Sequence, residues 1–329
     1  AGARGPQPAV VLAVFVAVIV AGALLWLAWM GWAVRGGAVG GAPAVRDGDA
    51  APGRIVSLAP SLTETLFAVG AGRRVVAVTD LCDFPPAARG LPKVGGLTSA
   101  NLHLESVVAA RPDLVLSVGL NQEEAVAALR RLGLRVEVVP TDGGGLAEVV
   151  AAVRRVGELT GRAAAGERLA GELERRLAAL DRALAEVPRT ARPRVYYEVW
   201  DRPLMTAGPN SFLGEVVERA GGANVFGDVS GRWVQVSPEA VLARDPEVIL
   251  TAEREGGPAG VDDFAARPGW DGITAVAAGR VHLLDGNLVS RPGPRVVEAL
   301  ERVAAILHPE RFAAVAPVAQ GGGGKGSAP

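Results

Sequence analysis

Short apolar runs and amphipathic stretches alternate through the first half of the folded chain. The apolar runs are rich in β-branched residues, are bounded by turn residues, and lie at 55–58, 75–79, 114–118 and 136–139. Helical periodicity fills the intervals, at 63–69, 102–110, 123–132 and 146–159. A strand followed by a helix, repeated, is typical of a doubly wound parallel sheet, so the pattern predicts an α/β lobe over 54–160.

The second half of the chain shows the same alternation with fewer elements. Apolar runs at 195–199, 248–251 and 281–284 predict strands, and periodic stretches at 211–219, 238–243 and 295–307 predict helices. We therefore expect a second α/β lobe over 191–312, built like the first but more abbreviated.

One stretch of thirteen residues occurs twice. ESVVAARPDLVLS at 105–117 recurs as EAVLARDPEVILT at 239–251, without a gap and with five identical positions. Each copy predicts a short helix, a break at Pro and a buried strand, which indicates a duplicated α/β unit. A fainter echo precedes each copy, at 60–75 and 210–225. The chain is thus expected to contain two similar lobes.

A long amphipathic stretch separates the two halves. Its leucines recur every three or four residues, at Leu169, Leu173, Leu177, Leu180 and Leu184, which is the spacing of one helix face. The pattern predicts a bridging segment over 161–190 that contains a single helix at 163–187. At 1.5 Å per residue such a helix spans about 38 Å, enough to run along both lobes and to restrict their relative motion.

The two ends of the chain differ from its middle. Residues 9–34 form a run of 26 without a charge, long enough to cross the roughly 30 Å hydrocarbon core of a membrane as a helix. We interpret 1–35 as a membrane anchor or a signal segment, since Ala42, Pro43 and Ala44 offer a small-residue cleavage site. Residues 36–53 predict a flexible linker, and 313–329 predict a disordered tail.

Composition narrows the classes of function. The formal charge is −1 and the 34 Lys and Arg residues are spread along the chain, which argues against a nucleic-acid partner. The three histidines, His103, His282 and His308, are too few and too scattered to predict a dedicated metal site. The single Cys82 cannot form an internal disulfide and is interpreted as a small apolar loop residue.

Catalytic motifs are missing from the sequence. It contains no GxSxG, P-loop or HExxH string, and the glycines Gly70 and Gly72 follow a helix instead of a strand. Asp83 and Asp285 could act as an acid and base pair, so an α/β enzyme acting on a small molecule stays a remote alternative. We expect a protein that is not an enzyme and that carries no cofactor.

Five sequence strings, taken together and in their order along 54–307, are typical of one protein family. They are RIVSLAPSLTETLFAVGAG (54–72), VTDLCDFPPAA (78–88), KVGG (93–96), LESVVAARPDLVL (104–116) and WVQVSPEAVLARDPEVIL (233–250). On these strings the chain resembles the helical-backbone (class III) substrate-binding proteins of ABC importers for cobalamin, haem and ferric siderophores. It is most similar to the cobalamin-binding branch.

This resemblance implies a location and a set of partners. The chain would be an extracytoplasmic monomer with its amino terminus inside, and it would deliver its ligand to a permease and, through it, to an ATPase. In that family one surface Glu on each lobe docks with Arg residues of the permease, and the matching positions are Glu105 and Glu239. A local explanation also exists, because both residues lie in the first turn of a predicted helix, where the dipole favours a carboxylate.

The resemblance also assigns the apolar part of a ligand site. Ligands of open α/β sheets bind beyond the carboxyl ends of the strands, which here means between the lobes. Trp233 matches an aromatic residue that packs on the corrin in the cobalamin-binding relatives. Leu81 and Leu97 stand where relatives present a Tyr and a Trp. Phe84 and Trp200 are expected to supply further apolar faces.

Polar side chains complete the predicted ligand site. Arg202, Arg232 and Arg291 are expected to meet ligand amides, propionates or catecholates. Asp83 and Asn287 lie on the loops that reach the cleft.

The ligand itself stays open among cobalamin, other corrinoids, haem and ferric siderophores. Haem would require an axial His or Tyr. Tyr196 and Tyr197 lie on a predicted strand, where one of the two must face the core.

Overall fold

The computed structural model describes residues 51–141, 145–253 and 260–312, which form two α/β lobes. The predicted anchor or signal segment (1–35), nearly all of the predicted linker (36–53) and the predicted tail (313–329) lie outside the described residues. Within the part of the chain that is described, no helix is long and apolar enough to cross a membrane.

The first lobe is built on four parallel strands. They are β1 (Ile55–Ser57), β2 (Val75–Val78), β3 (Leu114–Ser117) and β4 (Val136–Val138), in the order β2-β1-β3-β4. The helices of this lobe are α1 (Pro60–Ala68), α2 (Leu104–Ala109), α3 (Glu123–Arg131) and α4 (Gly145–Leu159). The central strands β1 and β3 are buried along their whole length, because helices cover both faces of a doubly wound sheet. Each predicted strand and helix of this lobe is confirmed.

One helix, α5 (Ala163–Leu184), leads from the first lobe to the second. It begins where predicted and ends three residues early, before Val187. It packs closely along α4, since a Cβ placed on Gly157 would lie 2.9 Å from the Cα of Gly166. Glycine at both positions lets the two backbones meet.

The second lobe has six described strands instead of the three predicted. They are β5 (Arg194–Asp201), β6 (Leu204–Ala207), β7 (Ala223–Asn224), β8 (Trp233–Gln235), β9 (Val248–Ala252) and β10 (Val281–Leu284). Five lie in the order β10-β9-β5-β6-β8, and β7 pairs with β5. The β5–β6 and β6–β8 pairs are antiparallel. The expected abbreviated copy of the first lobe is therefore wrong, because the added strands have only two to four residues and show no periodicity.

The helices of the second lobe surround this mixed sheet. They are α6 (Phe212–Arg219), α7 (Pro238–Arg244), α8 (Val261–Ala265), α9 (Thr274–Ala277), α10 (Gly286–Val289) and α11 (Val296–Leu307). One apolar core is shared by the lobes and the bridging helix, and it includes Leu114 of β3, Leu177 of α5 and Leu300 of α11. Arg176 of α5 also binds Glu301 of α11 with two hydrogen bonds of 2.9 and 2.7 Å. A shared, close-packed core resists rearrangement, so we expect little relative motion of the lobes.

Both copies of the thirteen-residue repeat form a helix, a turn and a strand. The first copy comprises α2 and β3, and the second comprises α7 and β9. The seventh residue of each copy takes a left-handed backbone conformation, with φ of +46° at Arg111 and +40° at Asp245. The predicted duplication therefore extends to the backbone of the turn.

Candidate functional site

Two tryptophans and a methionine lie on one face of the second sheet. Trp200 is near the end of β5, Trp233 begins β8, and β6 runs between them. Met205 of β6 pairs with Trp200, while Ala207, two residues along, pairs with Trp233. Alternate residues of a strand share a face, so both indoles and Met205 project from the same side. Each tryptophan is 47% exposed, and we name this surface the tryptophan platform (Trp200, Met205, Trp233).

The tip of the β5–β6 hairpin orients the platform. The Nε1 of Trp200 donates a hydrogen bond of 2.9 Å to the carbonyl oxygen of Arg202. The side chain of Arg202 extends into solvent and lies 3.5 Å from the carboxylate of Asp201. Arg232 is half-buried, and its carbonyl accepts a hydrogen bond of 2.9 Å from the backbone N–H of Gly208. Both predicted arginines therefore neighbour the platform.

A cavity of about 400 Å³ opens beside Trp200, at the carboxyl ends of β5, β9 and β10. Its lining residues are Val199, Trp200, Ala252, Glu253, Asp285, Gly286, Asn287 and Ser290. Ligands of open α/β sheets bind at this edge. Two residues of the predicted site, Trp200 and Asn287, line the cavity.

Apolar side chains stand beyond the carboxyl ends of the first-lobe strands. Leu81 and Phe84 are exposed, and Leu97 is half-buried. Leu120 is 46% exposed in the loop after β3; the sequence predicts that loop 119–122 reaches the cleft but does not single out Leu120, because the loop carries no motif. Gln122 braces this edge, since its Nε2 donates to the carbonyl oxygens of Leu58 and Leu97 at 2.8 and 2.9 Å.

Three of the predicted ligand residues bind one another across the lobes. Arg291 of the second lobe forms an ion pair with Asp83 of the first. The Nη2 of Arg291 donates to the Oδ1 of Asn287 at 2.6 Å, and the Nδ2 of Asn287 lies 3.4 Å from the Oδ2 of Asp83. Burial raises the pKa of Asp83, but the hydrogen bond and charge of Arg291 outweigh it and hold the pKa below its ordinary value. We name these three residues the outer cluster.

A second ion pair lies directly behind the outer cluster. Glu64 of α1 is only 4% exposed, and it accepts hydrogen bonds of 2.8 and 2.6 Å from Arg295. The guanidinium of Arg295 also lies 3.8 Å from the centre of the Phe84 ring, within cation–π range. The hydrogen bonds with Glu64 are the main reason that the pKa of Arg295 is raised. Sequence reasoning missed both Glu64 and Arg295, and the one available signal was a Glu within an otherwise uncharged helix.

No described His or Tyr lines the 400 Å³ cavity beside Trp200. Tyr196 and Tyr197 are both buried, on opposite faces of β5, so the expectation that one of them faces the core is confirmed, and the other is buried in a second apolar cluster. Burial raises the pKa of both hydroxyls. The buried ring of His308 has its Nε2 3.0 Å from the carbonyl oxygen of Gly221. Among the described residues, no group of three His, Cys, Asp or Glu side chains could hold a metal ion.

Cys82 lies in a polar layer beneath the first-lobe edge. It is buried, with its Sγ 3.1 Å from the hydroxyls of both Thr63 and Thr79. Cys82 also packs in the apolar core and lies outside any helix or strand, so its interpretation as a small apolar loop residue is confirmed, and the structure adds the two threonine contacts.

Glu105 and Glu239 are exposed at the starts of α2 and α7. Each helix runs back to the beginning of the strand that follows it, so its first turn lies at the carboxyl edge of the sheet, on the cleft side. The backbone N–H and the Ser237 hydroxyl near Glu239 lower the pKa of that carboxyl. A second cavity, of about 630 Å³, adjoins Glu239 between α7 and the hairpin tip.

The candidate site thus combines two lobes with an exposed aromatic surface at the carboxyl edge of the second sheet. Residues 55–288 match the family model of the periplasmic binding proteins, and the chain belongs to this family. The predicted membership of a substrate-binding class is thereby confirmed.

Individual relatives fall within the class that the sequence predicts. The chain is 34% identical over 271 residues to a cobalamin-binding protein of Halobacterium salinarum, across 79% of this chain and 70% of that protein. It is 31% identical over 267 residues to an uncharacterised ABC transporter substrate-binding lipoprotein of Bacillus subtilis, YvrC, across 79% of this chain and 82% of that protein. The apo structure of the periplasmic haem-binding protein RhuT from Roseiflexus matches with a TM-score of 0.70 at 28% identity, across 78% of this chain and 98% of RhuT.

Proposed function

We propose that this protein captures cobalamin or a related corrinoid between its lobes and delivers it to the permease of an ABC importer. The tryptophan platform carries the proposal, because a flat macrocycle gains most from a broad apolar face. Leu81, Phe84 and Leu97 offer apolar surface from the first lobe. The cobalamin-binding relative from Halobacterium salinarum supports the same ligand.

Haem or a ferric siderophore is the alternative ligand. Of these two, haem is favoured by the likeness to the haem-binding protein RhuT. Haem iron is held in proteins by an axial side chain, often His or Tyr. No described residue lining the cavity is a His or a Tyr, and Tyr196 and Tyr197 are packed in the core. A corrinoid brings axial groups of its own to the metal, so we favour it.

Delivery gives Glu105 and Glu239 a role as docking residues. Exposed carboxylates on the cleft side of both lobes are suited to bind cationic side chains of a permease. In that orientation the cleft, and the ligand in it, would face the membrane that holds the permease. The protein would act outside the cytoplasm as a monomer, held at the membrane by residues 1–35, and the ATPase behind the permease would drive import. The Bacillus subtilis relative supports the transporter class.

A titration of the full chain in detergent tests the ligand. We expect saturable, reversible calorimetric binding of cyanocobalamin, a shift in its visible spectrum, and weaker binding of haemin and of a ferric siderophore. Trp233→Ala should weaken binding. Leu132→Ala serves as a control and should leave binding unchanged, because Leu132 is exposed directly after the last residue of α3. Tight haemin binding with none for cyanocobalamin would replace our proposal by the haem alternative, and turnover of the ligand would contradict a receptor.

A further inference from the structure

Three arginines around the candidate site each have a carboxylate beside them. Arg291 is in contact with Asp83, Arg295 is bound by Glu64, and Arg202 lies 3.5 Å from Asp201. The side chain of Arg291 is only 11% exposed, so its guanidinium is held in one orientation. Two acids and two arginines meet across the lobes, and their formal charges cancel.

The neighbouring cavity adds negative charge to this balance. Glu253 and Asp285 line it, and its described lining contains no Lys, Arg or His. Asp285 also accepts a hydrogen bond of 2.9 Å from the backbone N–H of Asn287, which fixes the start of α10 beside the outer cluster. An anionic ligand group entering here would meet carboxylates before it met an unoccupied guanidinium.

We propose that Asp83, supported by Glu64, is a specificity-determining residue that selects ligands with an uncharged, amide-bearing edge over ligands whose edge carries carboxylates. This inference rests on the proposed function, because it describes how the same cleft chooses among macrocycles.

The selection follows from hydrogen-bond capacity. A primary amide both donates and accepts, so it can bond to the carboxylate of Asp83 and the side chain of Asn287 while the pair with Arg291 stays intact. A carboxylate only accepts, so it must displace Asp83 from Arg291 or stand beside it as a like charge. Exclusion of the wrong ligand thus comes from a repulsive group already in place.

Of the two carboxylates in the cross-lobe pairs, Asp83 is the one that a ligand can reach. Its side chain is 37% exposed, whereas that of Glu64 is 3% exposed and has two short bonds to Arg295. Glu64 pairs with Arg295 behind the site and lies 3.8 Å from Arg291, whereas Asp83 is the carboxylate that contacts Arg291 at the surface. Asp83→Asn therefore removes the surface carboxylate from Arg291 and opens that side of its guanidinium to a ligand, without breaking the buried pair.

A pair of ligands that differ in a single charge provides the test. Cyanocobalamin and its derivative with one propionamide hydrolysed to the acid are titrated against the full chain, and the ratio of the two dissociation constants is recorded. We expect the wild type to prefer the amide. We expect Asp83→Asn to shift the ratio towards the acid by about ten- to a hundredfold, the value of a charge-assisted hydrogen bond.

Two further variants separate charge selection from a general disturbance. In the double variant Asp83→Asn with Arg291→Ala the shift should vanish, because the Arg291 guanidinium that would donate to the acid is gone. Asp228→Asn, which removes a carboxylate 2.7 Å from Arg244 elsewhere on the lobe, should leave the ratio unchanged. An unaltered ratio in Asp83→Asn, or a shift that persists without Arg291, overturns the inference.

The proposed function can fail separately. If the wild type binds neither corrinoid, the corrinoid assignment is wrong, and the same ratio is then measured with haemin and its dimethyl ester. A preference for the ester that Asp83→Asn reverses would keep the inference, and equal affinities in both proteins would end it.

Discussion

The same bonds hold both copies of the thirteen-residue repeat. In the first lobe, the guanidinium of Arg54 donates to carbonyl oxygens of the turn after α2, and Asp113 accepts the backbone N–H of Arg54 at 2.8 Å. In the second lobe, the guanidinium of Arg194 donates to the corresponding turn after α7, and Glu247 accepts the backbone N–H of Arg194 at 2.8 Å. An arginine at the start of the central strand and an acid after the proline therefore secure each copy.

At their other ends the copies lead to different surfaces. The strand β3 leads to exposed Leu120 and to the brace made by Gln122. The strand β9 leads to Glu253 and the acid-lined cavity. The duplicated frame is thus preserved where the chain must fold, and it differs where a ligand would be met, which is the division expected of loops carried on a rigid scaffold.

Each lobe also contributes one carboxylate that binds the other lobe. Glu64 of α1 reaches into the second lobe to bind Arg295. Glu215 of α6, in the second lobe, reaches back to accept the backbone N–H of Leu146 at 2.9 Å, in the first turn of α4. The first contact is a buried ion pair and the second is a partly exposed helix cap, so the reciprocal arrangement is unequal in strength.

The largest expected effect tests whether the two copies are equivalent in function. We expect Glu105→Lys and Glu239→Lys each to abolish ligand uptake by the cognate importer in proteoliposomes, because a like charge replaces the proposed contact with permease cations. Ligand affinity should be unchanged, and Glu186→Lys, at a side chain 87% exposed, serves as control. Normal uptake by both variants would refute docking, and loss in only one would make the copies unequal.

Replacing each of the two interlobe carboxylates, Glu64 and Glu215, compares how much each contact contributes to the free energy of unfolding. Glu64→Gln should lower the free energy of unfolding by about 3 kcal/mol, because it leaves Arg295 without its charged partner in a largely buried site. Glu215→Gln should cost less than about 1 kcal/mol, since the amide oxygen can still accept the N–H of Leu146 and the helix cap keeps access to water. Urea unfolding of both variants decides the matter, and equal losses would contradict the ranking.

Alanine substitutions compare the aromatic and the aliphatic walls of the cleft. Trp200→Ala and Trp233→Ala should each weaken ligand binding about ten- to a hundredfold, because aromatic side chains supply large rigid contact areas. Leu81→Ala should weaken it only about threefold, since less apolar area is lost. Calorimetric titration of the three variants gives the ratios. A greater loss from Leu81→Ala would move the main contact to the first lobe.

The sequence predicts the parts of this molecule that depend on local pattern. Four parallel strands, the repeat and α5 follow from apolar runs and leucine spacing, so their positions are confirmed within a few residues. The β6 and β8 strands were not predicted, because Leu204–Ala207 and Trp233–Gln235 become strands only by pairing with β5 and with each other. Met205 at the centre of the tryptophan platform was missed for the same reason.

The cross-lobe pairs lie beyond any local reading of the sequence. Glu64 and Arg295 are 231 positions apart, and no local pattern in the sequence pairs them. Only tertiary packing buries them. Asp83, Asn287 and Arg291 were predicted as ligand contacts, and the structure adds that they bind one another; their contact with a ligand stays a prediction.

The smallest expected effect returns to the bonds that the two copies share. Asp113 accepts two backbone N–H groups, from Gly53 and Arg54, both at 2.8 Å, whereas Glu247 accepts one, from Arg194. We expect Asp113→Ala to lower the free energy of unfolding by about 1–2 kcal/mol and Glu247→Ala by about 1 kcal/mol, because these exposed bonds compete with water. Asp113→Asn keeps an acceptor and should recover most of the loss in urea unfolding. A larger loss from Glu247→Ala would mean that the second copy, with its added strands, depends more on this bond than the first.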